Sequence, residues 1–164
     1  MPFPSVAYTD APVLESDADA ILLIVPTVSE GAPDPDGWDG LGGALSAVGF
    51  TGATGSFQRV HVPGVDTPVA VVGAGTDPGE AALRDAAGTG VRQLTGFSHV
   101  AIQALVDSPW RPLAEGAALG GYRFADYKKR SAKARASRVS VVASAEPSDA
   151  DTAAVAAVSG AVAL

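Results

Sequence analysis

Histidine is the one side chain that ordinarily titrates near neutral pH, and this sequence holds two, His61 and His99. There is no cysteine, which excludes thiol catalysis, disulfides and cysteine-based zinc sites. Both histidines fall in stretches that read as strands, between Val60 and Val62 and between Ser98 and Val100. Neither has a second histidine at H-x-x-x-H or H-E-x-x-H spacing, so a metal would need ligands from distant segments. A structural or surface role is expected for each. Carboxylates cluster at Asp34, Asp36 and Asp39, and again at Asp17 and Asp19. Asp34-x-Asp36-Gly37 opens like a calcium loop, but position 38 is Trp38 and no Glu closes the pattern. A solvated acidic loop is the better reading.

Gly73-Ala74-Gly75-Thr76 lies between a strand-like run and a helix-like run, where an α/β fold can receive a phosphate on helix amides. The third glycine of a dinucleotide fingerprint would fall at position 78, which is Pro78, and no Gly-Lys-Ser/Thr follows. A tight strand-to-helix turn needing positive φ is the simpler expectation. Serine hydrolysis has no G-x-S-x-G, and Ser98 next to His99 is a sequence neighbour, not a nucleophile–base pair. Six of the eleven basic residues lie between Lys128 and Arg138. With Tyr127 alone as an aromatic neighbour, this run reads as a solvated connection, with nucleic acid or an acidic partner as the alternative.

These residues must be positioned by a chain of 164 residues, enough for one domain of ordinary size. Hydrophobic residues make up 47% and aromatics 6%, so the core has to be built from small aliphatic side chains. A formal net charge of −7 opposes general binding to nucleic acid or anionic membranes. The first residues lack the basic start and apolar stretch of a secretory signal. No apolar run approaches the roughly 20 residues of a membrane span, so a soluble protein is expected, and the lack of cysteine makes an intracellular compartment the default expectation.

Strands are expected at Ala20–Val25, Ser56–Val62, Val69–Val72, His99–Leu105 and Arg138–Val142, with Val6–Thr9 as a further edge strand. Continuous apolar runs such as AILLIV and VAVV suit strands covered on both faces. Helices are expected at Asp39–Val48, at Pro78–Leu94 with Asp77 as cap and Pro78 first, and at Leu113–Phe124. A last helix begins after Ser148 and stays apolar to Leu164 with no terminating signal, as in a fragment interrupted within an element. Residues 29–43 read as a loop. Strands alternating with helices predict an α/β fold with a mixed, largely parallel sheet flanked by helices.

The segment from Glu115 to Lys129 carries a more specific pattern: Glu115-Gly116, Leu119-Gly120, Tyr122-Arg123-Phe124 and Tyr127-Lys128. It resembles the EG-x-x-LG-x-YRF-x-x-YK segment near the end of the amino-terminal domain of the leucyl, or cytosol, aminopeptidase family. The early strand ending at Pro26, the Gly73–Gly75 turn and the helix bearing Leu83, Arg84, Ala86, Ala87 and Gly88 agree in order with that resemblance.

The resemblance implies a macro-domain-like amino-terminal domain over 1–146 and the start of a connector helix over 147–164, leading to a catalytic domain. In the family that catalytic domain holds two divalent metal ions, zinc or manganese, with its ligands around an N-T-D-A-E-G-R motif. No such motif stands here, so no residue of this chain is expected to be catalytic, cofactor-binding or metal-ligating. The implied role is assembly of a homo-oligomer, a hexamer in the family, and control of access to the active sites. The competing expectations are a macro-like module for a phosphate-containing small molecule and a DNA contact through the basic run.

Overall fold

The computed structural model describes residues 3–122 and 134–163. Six strands form one sheet: β1 (Ser5–Thr9), β2 (Ala20–Pro26), β3 (Phe57–Val60), β4 (Val69–Gly75), β5 (His99–Ala104) and β6 (Arg138–Val142). Their order is β1-β6-β5-β2-β4-β3. Every neighbouring pair is parallel except β3 with β4. The mixed, largely parallel sheet expected from the sequence is therefore present. Central β2 explains the continuous apolar run: Ile21 and Leu23 face one core, Leu22 and Ile24 the other, all at most 1% exposed. Full burial of each such side chain is worth about 1.5–3 kcal/mol.

Four α-helices accompany the sheet: α1 (Leu41–Ala47), α2 (Glu80–Gln93), α3 (Trp110–Gly120) and α4 (Asp149–Ala163). A 3-10 turn spans Val13–Glu15. One face of the sheet packs against Leu83, Ala87 and Val91 of α2 and Leu113 and Ala117 of α3. Val13, Trp38, Leu41 and Leu45 cover the other face. Helix α4 packs beside α3 through Val155.

Several boundaries differ from the sequence expectation, each for a local reason. Helix α2 starts at Glu80 after Gly79, and no side chain caps it. Asp77 takes φ 45, which removes it from the extended conformation of a capping residue. Helix α3 begins at Trp110, earlier than the expected Leu113, because Pro112 sits in the first turn, where backbone amides have no helical partner anyway. Its expected end at Phe124 lies outside the described residues. Strand β3 stops at Val60, so His61 is not in a strand and is exposed. The start of α4 follows expectation. Ser148 Oγ accepts from the Asp151 amide and Asp151 Oδ2 accepts from the Ser148 amide, both at 3.1 Å, closing a reciprocal cap.

Candidate functional site

In an open parallel sheet, ligands are received beyond the carboxyl ends of the strands, where the chain order reverses. Here that point lies at β2, flanked by β4 on one side and β5 on the other. The Gly73–Thr76 segment reaches this end of the sheet, but the amides of its two glycines are already engaged. Gly73 N donates to Ser56 O at 2.8 Å and Gly75 N to Gly52 O at 3.0 Å. A side chain on Gly73 would begin 2.0 Å from the Ala53 carbonyl oxygen. Gly75 has φ +83, a left-handed conformation that favours glycine. The glycines thus let residues 52–56 lie against the strand end. Asp77 and Glu80 place negative charge beside the first turn of α2, which opposes a phosphate there.

At the opposite end of the sheet His99 opens β5 and is 7% exposed. Its Nε2 lies 2.7 Å from Ser140 Oγ on β6, and its Nδ1 lies 3.6 Å from Asp17 Oδ1. Asp19 Oδ2 accepts from the Ser98 and His99 amides at 3.2 and 3.0 Å, tying residues 17–19 to the start of the strand. Ser98, read as a sequence neighbour only, contributes backbone here. The Ser140–His99–Asp17 alignment has no short-range sequence signature, since the three residues lie on three separate segments. It has the composition of a nucleophilic triad without the surroundings of one. Ser140 lies between β1 and β5 inside the sheet, and its 9% exposure leaves no approach for a substrate carbonyl. The neighbouring amides belong to parallel ladders and are not free to form an oxyanion hole. Burial holds the His99 imidazole below its ordinary pKa and Arg138 adds to this, while Asp17 and Asp19 pull the other way. His99 is thus a polar strap between strands and the 17–19 segment.

The acidic loop resolves in a similar way. Asp34 Oδ2 accepts from Gly40 N at 2.8 Å and Oδ1 from Gly42 N at 2.7 Å, so this carboxylate closes the loop onto the start of α1. Those two amides hold Asp34 below the usual carboxylate range. Trp38, which breaks the calcium pattern, is 2% exposed, and its indole Nε1 donates to Gln103 Oε1 at 3.4 Å. The loop therefore belongs to the core as well as the surface, which its composition did not reveal.

The distinctive segment begins in α3. Glu115 Oε1 lies 3.8 Å from Arg84 Nε and 3.4 Å from Arg111 Nε. Gly116 and Gly120 face the backbone of α2: a built Cβ would lie 2.1 Å from Arg84 O and 2.2 Å from Gly88 O respectively. Tyr122 stacks against Phe3 with ring centroids 4.7 Å apart. Arg123 to Lys129, and with them most of the basic run, lie outside the described residues. Of that run, Arg135 donates to the Tyr122 carbonyl and Arg138 opens β6 at the surface.

Residues 39–131 match the model of a family described as "Cytosol aminopeptidase family, N-terminal domain". Along 99% of its length the chain is 36% identical to a "Probable cytosol aminopeptidase" of Clavibacter michiganensis, of which it covers 35%. A protein of the same description in Leifsonia xyli is 37% identical over 77% of the chain, which covers 27% of that relative. The chain thus spans about a third of the length of the curated relatives it matches. Among solved structures, a tomato leucine aminopeptidase mutant superposes with a TM-score of 0.73 over 99% of the chain and 37% of its own, at 15% identity. The bottromycin maturation enzyme BotP, in complex with Mn, superposes with a TM-score of 0.64 over 90% of this chain and 30% of its own, at 25% identity.

Proposed function

This chain belongs to the cytosol aminopeptidase family as its amino-terminal domain, and from that premise we propose that it is the non-catalytic part of a two-metal, cytoplasmic exopeptidase that releases amino-terminal residues from peptides. The observation that carries the reading is where the family match falls: on the amino-terminal domain, in a chain about a third as long as its relatives. The metal pair, zinc or manganese, does not fit the donors described. Among the described residues no group of three or more His, Asp or Glu side chains converges. Asp19 and Asp34 spend carboxylate oxygens on backbone amides, and Glu115 faces two arginines. In the intact enzyme the metals would be held by a catalytic domain following residues 147–164.

The domain's role in this reading is to support a homo-oligomer and to limit access to the active sites. The surface of α4 supports a further packing partner. It is apolar nearly all round, with Ala153, Ala156 and Ala157 exposed while Val155 faces α3. The test is hydrolysis of a leucyl chromogenic substrate with added Zn²⁺ or Mn²⁺. The purified chain is expected to give none, and turnover that copurifies with it overturns the reading. Removing these residues from an intact relative should reduce its assembly size in light scattering; an unchanged oligomer removes the assembly role.

A further inference from the structure

The two edges of the sheet differ in how they are protected. Outermost β3 has four residues, one of them the exposed Arg59, and a charge on a short strand discourages a further strand. At the other edge β1, Ser5-Val6-Ala7-Tyr8-Thr9, carries no charge and no proline, and its register with β6 is unbroken. Ser5 N donates to Ser137 O at 2.9 Å and Thr9 O accepts from Ala143 N at 3.3 Å. Ser5, Ala7 and Thr9 therefore turn their backbone groups toward β6, and by the alternation of a strand Val6 and Tyr8 turn theirs outward. Among the described residues no group outside the sheet bonds to that outer row.

We propose that β1 pairs antiparallel with β1 of a second copy of this chain, about a twofold axis at Ala7, and joins the two sheets into one. In that register Val6 stands opposite Tyr8 and Tyr8 opposite Val6, and each pair exchanges two N–H···O bonds from the groups that β6 leaves unused. Ala7 meets Ala7 in the close pair between them, and Ser5 meets Thr9. The side chains match as well. Val6 and Tyr8 lie half-buried on the α3 side of the sheet, where an aromatic and a β-branched residue set side by side shed more exposure. Charge favours the antiparallel sense in a chain of net charge −7. Asp10 and Glu146 lie near Tyr8, at the carboxyl end of β1. Pairing about Ala7 keeps the acids of the two copies at opposite ends. It brings each set to the end where exposed Arg138 stands in register with Ser5. The twofold axis uses both open edges at once, so assembly through β1 stops at two. The pairing deepens, and for its place in an intact enzyme rests on, the assembly role proposed above. The two fail separately, because pairing is read on this chain alone and that role on an intact relative.

An edge of five residues buries less than the roughly 1,200 Å² of a standard interface, so the dimer is weak and is sought at about 1 mM protein. Sedimentation equilibrium of the 164-residue chain should show monomer and dimer in exchange. Ala7→Glu or Ala7→Lys alone should weaken the dimer at least about fivefold, because each sets like charges face to face across the axis. Ala7 is exposed, so both variants should keep the parent melting temperature. Mixed in equal amounts, the two variants should recover the parent association, since unlike charges then meet. The apolar surface of α4 is the rival site, and Ala156→Glu on its exposed side should leave the dimer intact. A chain that stays monomeric at that concentration, a dimer indifferent to charge at Ala7, a mixture that fails to recover, or a dimer lost with Ala156→Glu overturns the pairing.

Discussion

Replacing Gly116 by alanine adds one methyl group where α3 crosses α2. That carbon would lie 2.1 Å from the Arg84 carbonyl oxygen and 3.0 Å from Ala87 Cβ. The shortest ordinary carbon–oxygen approach between helices is about 3.3 Å, so the helices must part by roughly 1.2 Å at this point. A gap of that order forfeits up to about half of the dispersion energy of each contact it opens. The contacts at stake join Leu83 and Ala87 of α2 to Leu113 and Ala117 of α3, all buried. Overpacking of this kind costs about 1–3 kcal/mol, and a clash with backbone belongs at the upper end. Alanine returns about 1 kcal/mol of helix propensity, which leaves a net loss of about 2 kcal/mol. For a domain of this size the melting temperature should fall by about 4–8 °C. Gly43→Ala in α1, with open space around its built Cβ, is the internal control and should gain about 0.5–1 kcal/mol. Thermal melts of the two variants beside the parent decide the matter. A Gly116→Ala protein that melts at or above the parent temperature refutes the close-crossing argument.

His99 should make stability depend on pH in one direction. Its folded pKa is depressed, first by burial and then by Arg138, so the unfolded chain takes up the proton at higher pH. That contribution is complete above about pH 6.5 and is lost as pH falls through that value toward the folded pKa. The parent should therefore lose more melting temperature than His99→Asn between about pH 7.5 and 5.5; equal losses contradict the assignment. Ser148→Ala removes the reciprocal cap of α4 and should cost about 1 kcal/mol, seen as faster hydrogen exchange of the amides in that helix. Unchanged exchange would mean the cap carries no weight.

The elements most legible in the sequence were those whose pattern is enforced by burial on two sides. The apolar runs of β2 and β4 follow from their places inside the sheet, and the bounds of β6 agree residue for residue. Helix starts were less legible where proline or an unusual φ intervened, as at Pro112 and Asp77, because one residue can begin or delay a helix without altering its apolar periodicity. Trp38 was hidden in a stretch whose composition is that of a solvent loop. Its burial depends on the fold of Asp34 onto Gly40 and Gly42, an arrangement with no short-range sequence signature. The Ser140–His99–Asp17 group was illegible for a different reason. Parallel pairing brings β5 and β6 side by side although their residues are far apart in the chain.

The pattern that carried the family resemblance has, in its described part, a mechanical cause. Glu115 bridges Arg84 and Arg111, and Gly116 and Gly120 admit the backbone of α2, so the motif records how two helices must cross and names no reacting group. The same holds for the segments with chemical promise. The amides of Gly73 and Gly75 are donated to residues 56 and 52, and the carboxylate of Asp19 secures the start of β5. A polar group engaged in this way cannot be withdrawn for catalysis without exposing or stranding its partner, at about 1–3 kcal/mol for each buried loss. Asp34 follows the same rule at the surface: both of its oxygens accept loop amides, and what remains of its acceptor capacity faces solvent.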